Sequence, residues 1–211
     1  MKITDIECHV LLVPDVRTDA TSSAQDDIVV FVHTDEGITG VGESDVNPWI
    51  ARSCIEAPST HSMGLGLKEM LIGENPLDTE RLWQKLYVGS CMNGRRGAVI
   101  NAIGAIDMAL WDIKGKVLGA PVYQLLGGAQ RQKIRVYANG WYTNPGTPKQ
   151  NAEEACKVVE MGYNAIKFDP FGQANYYKIS LVEAQLAEDR VAAVREAVGA
   201  SVDILVEAHA K

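Results

Sequence analysis

The first part of the chain alternates apolar and polar residues, which is the pattern of half-buried β-strands. Residues 2–13 and 27–34 are rich in Ile, Val and Leu, and a shorter run of the same kind covers 38–41. Residues 35–37 separate the last two runs, and Gly37 can supply the backbone geometry that a hairpin turn needs. The pattern therefore predicts a three-stranded antiparallel meander at the start of the chain.

The spacing of apolar residues changes to three and four after about residue 76, which predicts helices. Pro76 lies in the first turn of a helix predicted over 76–88. The clearest periodicity follows, in a stripe on one helical face: Val99, Ile103, Ile106, Leu110, Ile113 and Val117. Small residues beside this stripe leave room for another element to approach closely. Gly119 is expected to end the long helix, and a short helix is predicted over 121–126.

A different rhythm begins near residue 134. The predicted order is a strand at 134–138, a helix at 148–161, a strand at 165–168, helices at 176–186 and 188–198, and a strand at 202–206. Strands that alternate with helices are typical of a parallel α/β domain. Active sites of such domains lie at the carboxyl ends of the strands. The residues that directly follow each strand are therefore the candidates for chemistry.

The length of this second region sets a limit on what it can form. Residues 134–211 hold three predicted strands, whereas a complete (β/α)₈ barrel needs about 250 residues. The chain also stops directly after a strand that ends in Glu207-Ala208-His209, which would leave an open sheet edge. We therefore expect a part of a longer protein, with one domain over 1–128 and the start of a second over 129–211.

Composition constrains the partners and the location. The chain has 211 residues, a net charge of −7 and 46% apolar residues. The acidic balance, without a local Lys/Arg cluster, argues against nucleic acid as a partner. No apolar run is long enough to cross a bilayer, and the N-terminus lacks the pattern of a secretory signal. The four cysteines are scattered without a CxxC spacing, which indicates reduced thiols and a cytoplasmic protein.

Charged residues follow two of the predicted strands. Lys167 and Asp169 stand two positions apart at the end of the second barrel strand, and Glu207 and His209 do so at the end of the third. Residues two apart share a face of an extended backbone, so both pairs should point into the same end of the sheet. Charged side chains are rarely placed there by packing alone. The sequence therefore predicts an active site at this edge.

Three further segments carry a resemblance to a known family. They are residues 37–43 (GITGVGE), 105–116 (AIDMALWDIKGK) and 121–128 (PVYQLLGG). The chain resembles the mandelate racemase and muconate-lactonising branch of the enolase superfamily, and the central segment is the most specific of the three. The resemblance covers the first half of the family's length. It implies an α+β capping domain over 1–128, followed by the first strands of a modified (β/α) TIM barrel over 129–211.

The resemblance also implies roles for the residues at the strand ends. Lys167 matches the first lysine of the family's Lys-x-Lys motif, whereas Asp169 stands where the second lysine would be. Glu207 matches the first of three carboxylate ligands for Mg²⁺, the cofactor that the resemblance implies. His209 stands where acid-sugar dehydratases of the family place a histidine that protonates the departing hydroxyl. The other metal ligands and the family's His–Asp base pair would lie beyond Lys211.

The function implied is a Mg²⁺-dependent dehydratase of a sugar acid. Such an enzyme removes the proton α to a carboxylate, and a hard cation held by carboxylates stabilises the resulting enediolate. Loss of the β-hydroxyl then gives a 2-keto-3-deoxy acid. An acid at His209, the missing second lysine and a polar loop at 15–26 favour dehydration. The alternatives are a racemase, epimerase or cycloisomerase of the same superfamily, and a non-catalytic structural or interaction protein that retains the fold.

Each of these residues also has a purely structural interpretation. Lys167 could be a surface lysine at a strand end, and His209 a hydrogen-bonded structural histidine. Glu207 would then be an unpaired acid at a buried strand end, which is costly. Asp169 is the most open: it could hold Lys167, bind a substrate hydroxyl or cap the loop at Pro170.

Substrate contacts are expected at three other positions. Trp141 follows the first barrel strand, and its ring could line the pocket or simply pack. Thr18 lies in the polar loop at 15–26, which we expect to be mobile and to close over the substrate. Trp49 belongs to the segment 47–62, which could contribute to substrate selection. The expected partner is a small-molecule sugar acid, and the resemblance implies a homo-oligomer.

Overall fold

The computed structural model describes residues 1–17, 25–94, 96–172, 174 and 177–209. The chain divides into two compact units, Met1–Gln130 and Arg131–Lys211. Residues 18–24, which include the predicted substrate-binding Thr18, lie outside the described ranges. Within those ranges, no helix has the length and apolar character needed to cross a membrane.

The first unit opens with the predicted antiparallel meander. Its strands are β1 (Ile3–Leu12), β2 (Asp26–Thr34) and β3 (Thr39–Ser44), which pair in the order β1-β2-β3. Gly37 has a φ of 77° in the β2–β3 turn, where its amide donates to the carbonyl of Thr34. This positive φ is the geometry for which glycine is favoured. The meander and its turn are therefore confirmed.

Helices cover one face of this sheet. Those in the described part of the unit are α1 (Pro48–Glu56), α2 (Leu67–Leu71), α3 (Thr79–Gly89), α4 (Ala98–Leu118) and α5 (Val122–Leu125). The predicted long helix is confirmed as α4, and Gly119 ends it with a left-handed φ of 62°. Five of the six stripe residues are buried, whereas Val117 is 36% exposed. The core of this unit therefore lies between α4 and the inner face of the sheet.

Helix α4 packs against β3 at backbone distance. A Cβ atom on Gly40 would lie 2.0 Å from the carbonyl oxygen of Ala109, and one on Gly42 would lie 1.9 Å from that of Ala105. Both distances are far shorter than a van der Waals contact, so only glycine fits at these two positions. The small residues of α4 were expected to allow such an approach, and here they meet the glycines of β3.

The helices before α4 differ from the prediction, and α2 is among those that were not predicted. The helix expected over 76–88 begins at Thr79, because Asn75 forms a turn in which its carbonyl accepts the amide of Asp78. Helix α1 falls in the segment 47–62, for which no helix was predicted. Its start carries the usual signals, since Pro48 occupies the first turn and the Asn47 side chain accepts from the amide of Ile50.

The second unit has a parallel β/α arrangement. It contains α6 (Pro148–Glu160), β4 (Ala165–Phe168), α7 (Leu181–Val198) and β5 (Asp203–Val206). Strands β4 and β5 pair in parallel, with Lys167 opposite Leu205. Helices α6 and α7 cover the pair, and Phe168 is fully buried between strand and helices. The predicted strands at 165–168 and 202–206 and the helix at 148–161 are confirmed.

The predicted strand at 134–138 is wrong as a regular strand. Only Ala138 forms a bridge, to Ile166, through two hydrogen bonds: its amide donates to Ala165 and its carbonyl accepts from Lys167. Strand β4 begins at Ala165, which this register places opposite residue 137. Residues 134–136 therefore precede β4 and have no strand there to pair with. The apolar sequence of this segment indicated a strand without showing where its partner starts.

The two helices predicted at 176–186 and 188–198 form one helix. Helix α7 begins at Leu181 behind an N-terminal capping box, in which the Ser180 hydroxyl accepts from the amide of Glu183 and the Glu183 side chain returns to Ser180. A capping box fixes a helix start, because it satisfies amides that have no partner within the helix. The described residues between Tyr177 and Ser180 are therefore not helical.

We expect the thiols of Cys8 and Cys91 to react very differently. Cys8 is 8% exposed on the inner face of β1, and burial raises the pKa of its thiol to about 11. Since the thiolate is the reactive form, an aromatic disulfide reagent at pH 8 should leave Cys8 unmodified in the folded protein and label it after denaturation. Cys91 is exposed and should be labelled while folded. Cys91→Ser is the matched control, and rapid labelling of Cys8 in the folded protein would contradict the described core.

Candidate active site

Two pairs of titratable side chains meet at the carboxyl ends of β4 and β5. The Lys167 Nζ atom lies 2.7 Å from Oε2 of Glu207, and Nδ1 of His209 lies 2.8 Å from Oδ2 of Asp169. Each pair joins one strand end to the other. The prediction that these four side chains share one edge of the sheet is thus matched by their positions.

The Lys167–Glu207 pair is partly open to solvent. The side chains are 24% and 31% exposed, and the second carboxylate oxygen of Glu207 accepts the backbone amides of Ala208 and His209 at 3.1 and 3.0 Å. The ammonium group of Lys167 also lies 5.8 Å from the ring centre of Tyr137. Glu207 is therefore a fixed carboxylate whose two oxygens both receive donors.

These contacts shift the pKa values of the pair in opposite directions. The hydrogen bond from Lys167, helped by the His209 amide, lowers the pKa of Glu207 to about 2. The same bond raises the pKa of Lys167 above its ordinary value. Both shifts favour the charged forms that the two groups already have at neutral pH, so Glu207 is in the form that binds cations and Lys167 carries a positive charge.

The Asp169–His209 pair is built differently, because its carboxylate is buried. The Asp169 side chain is 0% exposed, and its other oxygen, Oδ1, accepts the amide of Phe171 at 2.8 Å. A carboxylate on Nδ1 makes that nitrogen the proton-bearing one and leaves Nε2 as the exchangeable position. Of the roles considered for Asp169, capping the following loop is supported, and the carboxylate also contacts the ring of His209.

The backbone of His209 has a φ of 45°, which is uncommon for a residue other than glycine. Such positions cost free energy and are found more often at functional sites, where the surrounding contacts hold them in place. Here the amide of His209 is held by Glu207 and its ring by Asp169. The imidazole is thus fixed from both its backbone and its ring.

The remaining predicted substrate contacts are distributed over both units. Trp141 packs against Phe168 and Tyr142, with ring centres 5.6 and 5.4 Å away, and its buried Nε1 has no hydrogen-bond partner among the described residues. Trp49 lies on α1 of the first unit with 55% of its surface exposed. Of the predicted loop at 15–26, only 15–17 and 25–26 belong to the described ranges, and Asp26 already starts β2.

Two further residues lie near Asp169, and of these Arg190 was not singled out from the sequence. Burial raises the pKa of the Tyr142 hydroxyl, which also interacts with the backbone and charge of Asp169. Arg190 of α7 is 7% exposed and bonds to the carbonyl of Pro170, directly after Asp169. A signal for Arg190 was available, since it shares the buried helical face with Ala187 and Val194 at spacings of three and four.

The donors present fit a divalent cation in kind but not in number. Glu207 offers a hard, ionised oxygen ligand of the type that Mg²⁺ prefers. Among the described residues, however, no group of three or more His, Cys, Asp or Glu side chains is arranged to hold a metal ion. The described residues therefore supply fewer than three side-chain ligands of such a site.

Comparisons with known proteins identify the family. Residues 5–127 match the profile described as "Mandelate racemase / muconate lactonizing enzyme, N-terminal domain". The chain belongs to the mandelate racemase/muconate lactonizing enzyme family. Residues 150–211 match the profile "Enolase C-terminal domain-like". The chain thus has the α+β capping domain of this family, followed by the first strands of its (β/α) barrel.

The most informative relatives of this family member carry dehydratase names. The chain is 46% identical over 140 residues to a D-gluconate dehydratase of Thermoproteus tenax, and the match covers 66% of this chain and 28% of the relative. It is 37% identical to a D-xylonate dehydratase of Haloferax volcanii, covering 93% and 47%. A crystal structure of a member of the enolase superfamily from Salmonella Typhimurium superposes with a TM-score of 0.79 at 32% identity, covering 99% of this chain and 55% of that one. The chain therefore spans about half the length, or less, of the relatives it matches.

Proposed function

We propose that the chain forms the N-terminal part of an acid-sugar dehydratase, a hydro-lyase that converts a sugar acid into its 2-keto-3-deoxy derivative. The observation that carries the proposal is the buried Asp169 carboxylate on the ring of His209, beside the Lys167–Glu207 ion pair. His209, as an acid for a poor leaving group, then lies next to Lys167, a cation for the substrate carboxylate. The dehydratase names of the relatives support the same reaction.

His209 is the proposed general acid. Elimination from a sugar acid breaks the bond between the β-carbon and its hydroxyl oxygen, and this oxygen must receive a proton to leave as water. Protonated His209 supplies that proton from Nε2, while Nδ1–H stays bonded to Asp169. The ring ends as the neutral tautomer that Asp169 already selects, so no rearrangement is required at the moment of reaction. Asp169 is accordingly a positioning residue.

Lys167 is the proposed cation for the substrate carboxylate. It is protonated at neutral pH, and its hydrogen bond to Glu207 raises its pKa further, which suits charge stabilisation better than removal of the α-proton. The base that removes this proton is assigned to the part of the relatives' length that the chain does not span.

Glu207 is the proposed ligand of Mg²⁺, with further ligands outside the described residues. A divalent cation bound there would stabilise the negative charge that develops when the α-proton leaves. Glu207 is ionised at neutral pH, and the hydrogen bond from Lys167 lowers its pKa further, so no proton has to be displaced before a cation binds.

Three residues are proposed to contact the substrate. The Nε1–H of Trp141 is a donor without an acceptor among the described residues, and a buried donor of this kind costs about 1–3 kcal/mol until it is paired. A substrate rich in hydroxyl groups could pair it. Thr18 and Trp49 remain proposed contacts from the capping domain, which we assign to residues 1–128, with the barrel starting at 129.

We further propose a cytoplasmic homo-oligomer that has no nucleic-acid or membrane partner.

A panel of aldonic acids tests the proposal. The full-length protein is incubated with Mg²⁺ and each acid, including gluconate, galactonate, mannonate, xylonate and arabinonate, and 2-keto-3-deoxy products are detected by semicarbazide absorbance. Product from at least one acid that requires Mg²⁺ is the expected result. Exchange of the α-proton without product would instead indicate a racemase or epimerase, and the absence of both with a folded protein would favour the non-catalytic alternative.

A further inference from the structure

A buried arginine lies on the inner face of α7. Arg190 is 7% exposed and shares this face with Ala187 and Val194. Loss of solvent around the buried guanidinium group lowers its pKa, and the negative charge of Asp169 opposes that shift. Burying a cation costs free energy, and an apolar residue could occupy this position on the helix. The arginine is therefore expected to make specific contacts that offset the cost.

Arg190 makes such contacts with two backbone carbonyls. Its Nε atom donates to the carbonyl of Gly146 at 2.7 Å, and its Nη1 atom donates to the carbonyl of Pro170 at 2.6 Å. Gly146 belongs to the connection between Ala138 and α6, and Pro170 belongs to the connection between β4 and α7. One planar guanidinium group therefore joins the two loops that follow neighbouring segments of the sheet.

The Pro170 carbonyl is one peptide away from the Asp169–His209 pair. One carboxylate oxygen of Asp169 accepts a hydrogen bond from the amide of Phe171, and the other contacts Nδ1 of His209. The turn from 169 to 171 therefore fixes the direction of the carboxylate. Arg190 holds this turn at its middle residue. Gly172, with a φ of 61°, continues the turn, and a Cβ atom there would meet Pro145 at 3.0 Å and Arg190 at 3.6 Å.

We infer that Arg190 is a positioning residue for the dehydration step: by joining the Gly146 and Pro170 carbonyls, it fixes the Asp169 turn and, through it, the ring of His209. This inference rests on the proposed function. A misplacement of an acid by a fraction of an ångström lowers the rate without preventing substrate binding. Loss of Arg190 should therefore act on the turnover number of dehydration, while the Michaelis constant and the α-proton exchange change little.

The test compares two arginines of the same helix in the full-length protein. Arg195 also donates to two carbonyls, those of Gly199 and Val202 at 2.7 Å, but these precede β5 and lie at the opposite end of the sheet from the active-site edge. Arg190→Met should lower the turnover number of dehydration by about 10–100-fold, and Arg190→Lys should restore part of it. Arg195→Met should leave the ratio of dehydration to α-proton exchange unchanged.

A second readout separates this inference from the proposed function. The amide of Phe171 donates to Asp169, so its hydrogen-exchange protection reports the order of the turn without any substrate. Protection of Phe171 should fall by about tenfold or more in Arg190→Met and not in Arg195→Met. Unchanged protection, or equal losses of dehydration and exchange, would overturn the inference. If the wild-type protein has no dehydratase activity, the proposed function is refuted. If the protection of Phe171 still depends on Arg190 in that case, the structural part of the inference is retained.

Discussion

Replacement of Glu207 by glutamine is expected to lower the proposed dehydratase activity of the full-length protein by about 10²–10³-fold or more. The two side chains have nearly the same shape, and glutamine can still accept the amides of Ala208 and His209. What is lost is the negative charge that Lys167 now holds at 2.7 Å. A neutral amide is a poor ligand for a hard cation, so the apparent affinity for Mg²⁺ should fall together with the rate.

Initial rates over a range of Mg²⁺ concentrations measure this effect. The matched control is Glu196→Gln, which changes the same functional group at an exposed position of α7 and should leave both rate and Mg²⁺ dependence as in the wild type. Glu207→Gln activity that equals the wild type at every Mg²⁺ concentration would refute the proposed ligand. A rate that recovers fully at high Mg²⁺ would show that Glu207 contributes affinity alone.

Replacement of Gly42 by alanine is expected to destabilise the capping domain by about 3 kcal/mol or more. The added Cβ atom would lie 1.9 Å from the carbonyl oxygen of Ala105, and both atoms belong to rigid elements, β3 and α4. The helix must then move away from the strand, which opens the packing around Ile106 and Leu110. Thermal unfolding followed by circular dichroism should show a midpoint lowered by roughly 6–12 °C.

Gly104→Ala is the matched control for this substitution. Gly104 lies one residue before Ala105 on the same helix, but a Cβ atom there has nothing within 4 Å. Alanine is a better helix former than glycine in a helix interior, so this variant should gain about 0.5–1 kcal/mol. Equal midpoints for the two variants would contradict the close contact between α4 and β3.

The capping domain could be predicted well because its signals are local and strong. The alternation in β1 to β3 and the stripe on α4 each extend over several repeats, and Gly37 marks the turn between two strands. Helix α1 was not predicted, although Asn47 and Pro48 mark its start. The segment 134–138 shows the limit of periodicity: its composition indicates a strand, but the ladder depends on where β4 begins.

The candidate site was predictable as a set of residues and not as a set of pairs. Parallel strands bring their carboxyl ends together, so Lys167 and Glu207 could be placed at one edge from the sequence. The pairing of Asp169 with His209 depends on the turn after β4, which is set by hydrogen bonds that no spacing rule contains. Arg190 illustrates the same point: the helical spacing indicates that it is buried, but its partners are backbone carbonyls, which residue identities do not indicate.

The most direct test of the proposed dehydratase is one reaction in D₂O, in which His209→Asn is compared with the wild type on the acid that the panel identifies. Asparagine tolerates a positive φ, so this variant removes the imidazole without adding strain at φ 45°. We expect the 2-keto-3-deoxy product to fall by about 10²–10⁴-fold while the substrate still exchanges its α-proton for deuterium. A variant that keeps most of the wild-type dehydration rate would show that His209 is not the acid, and would contradict the proposed mechanism.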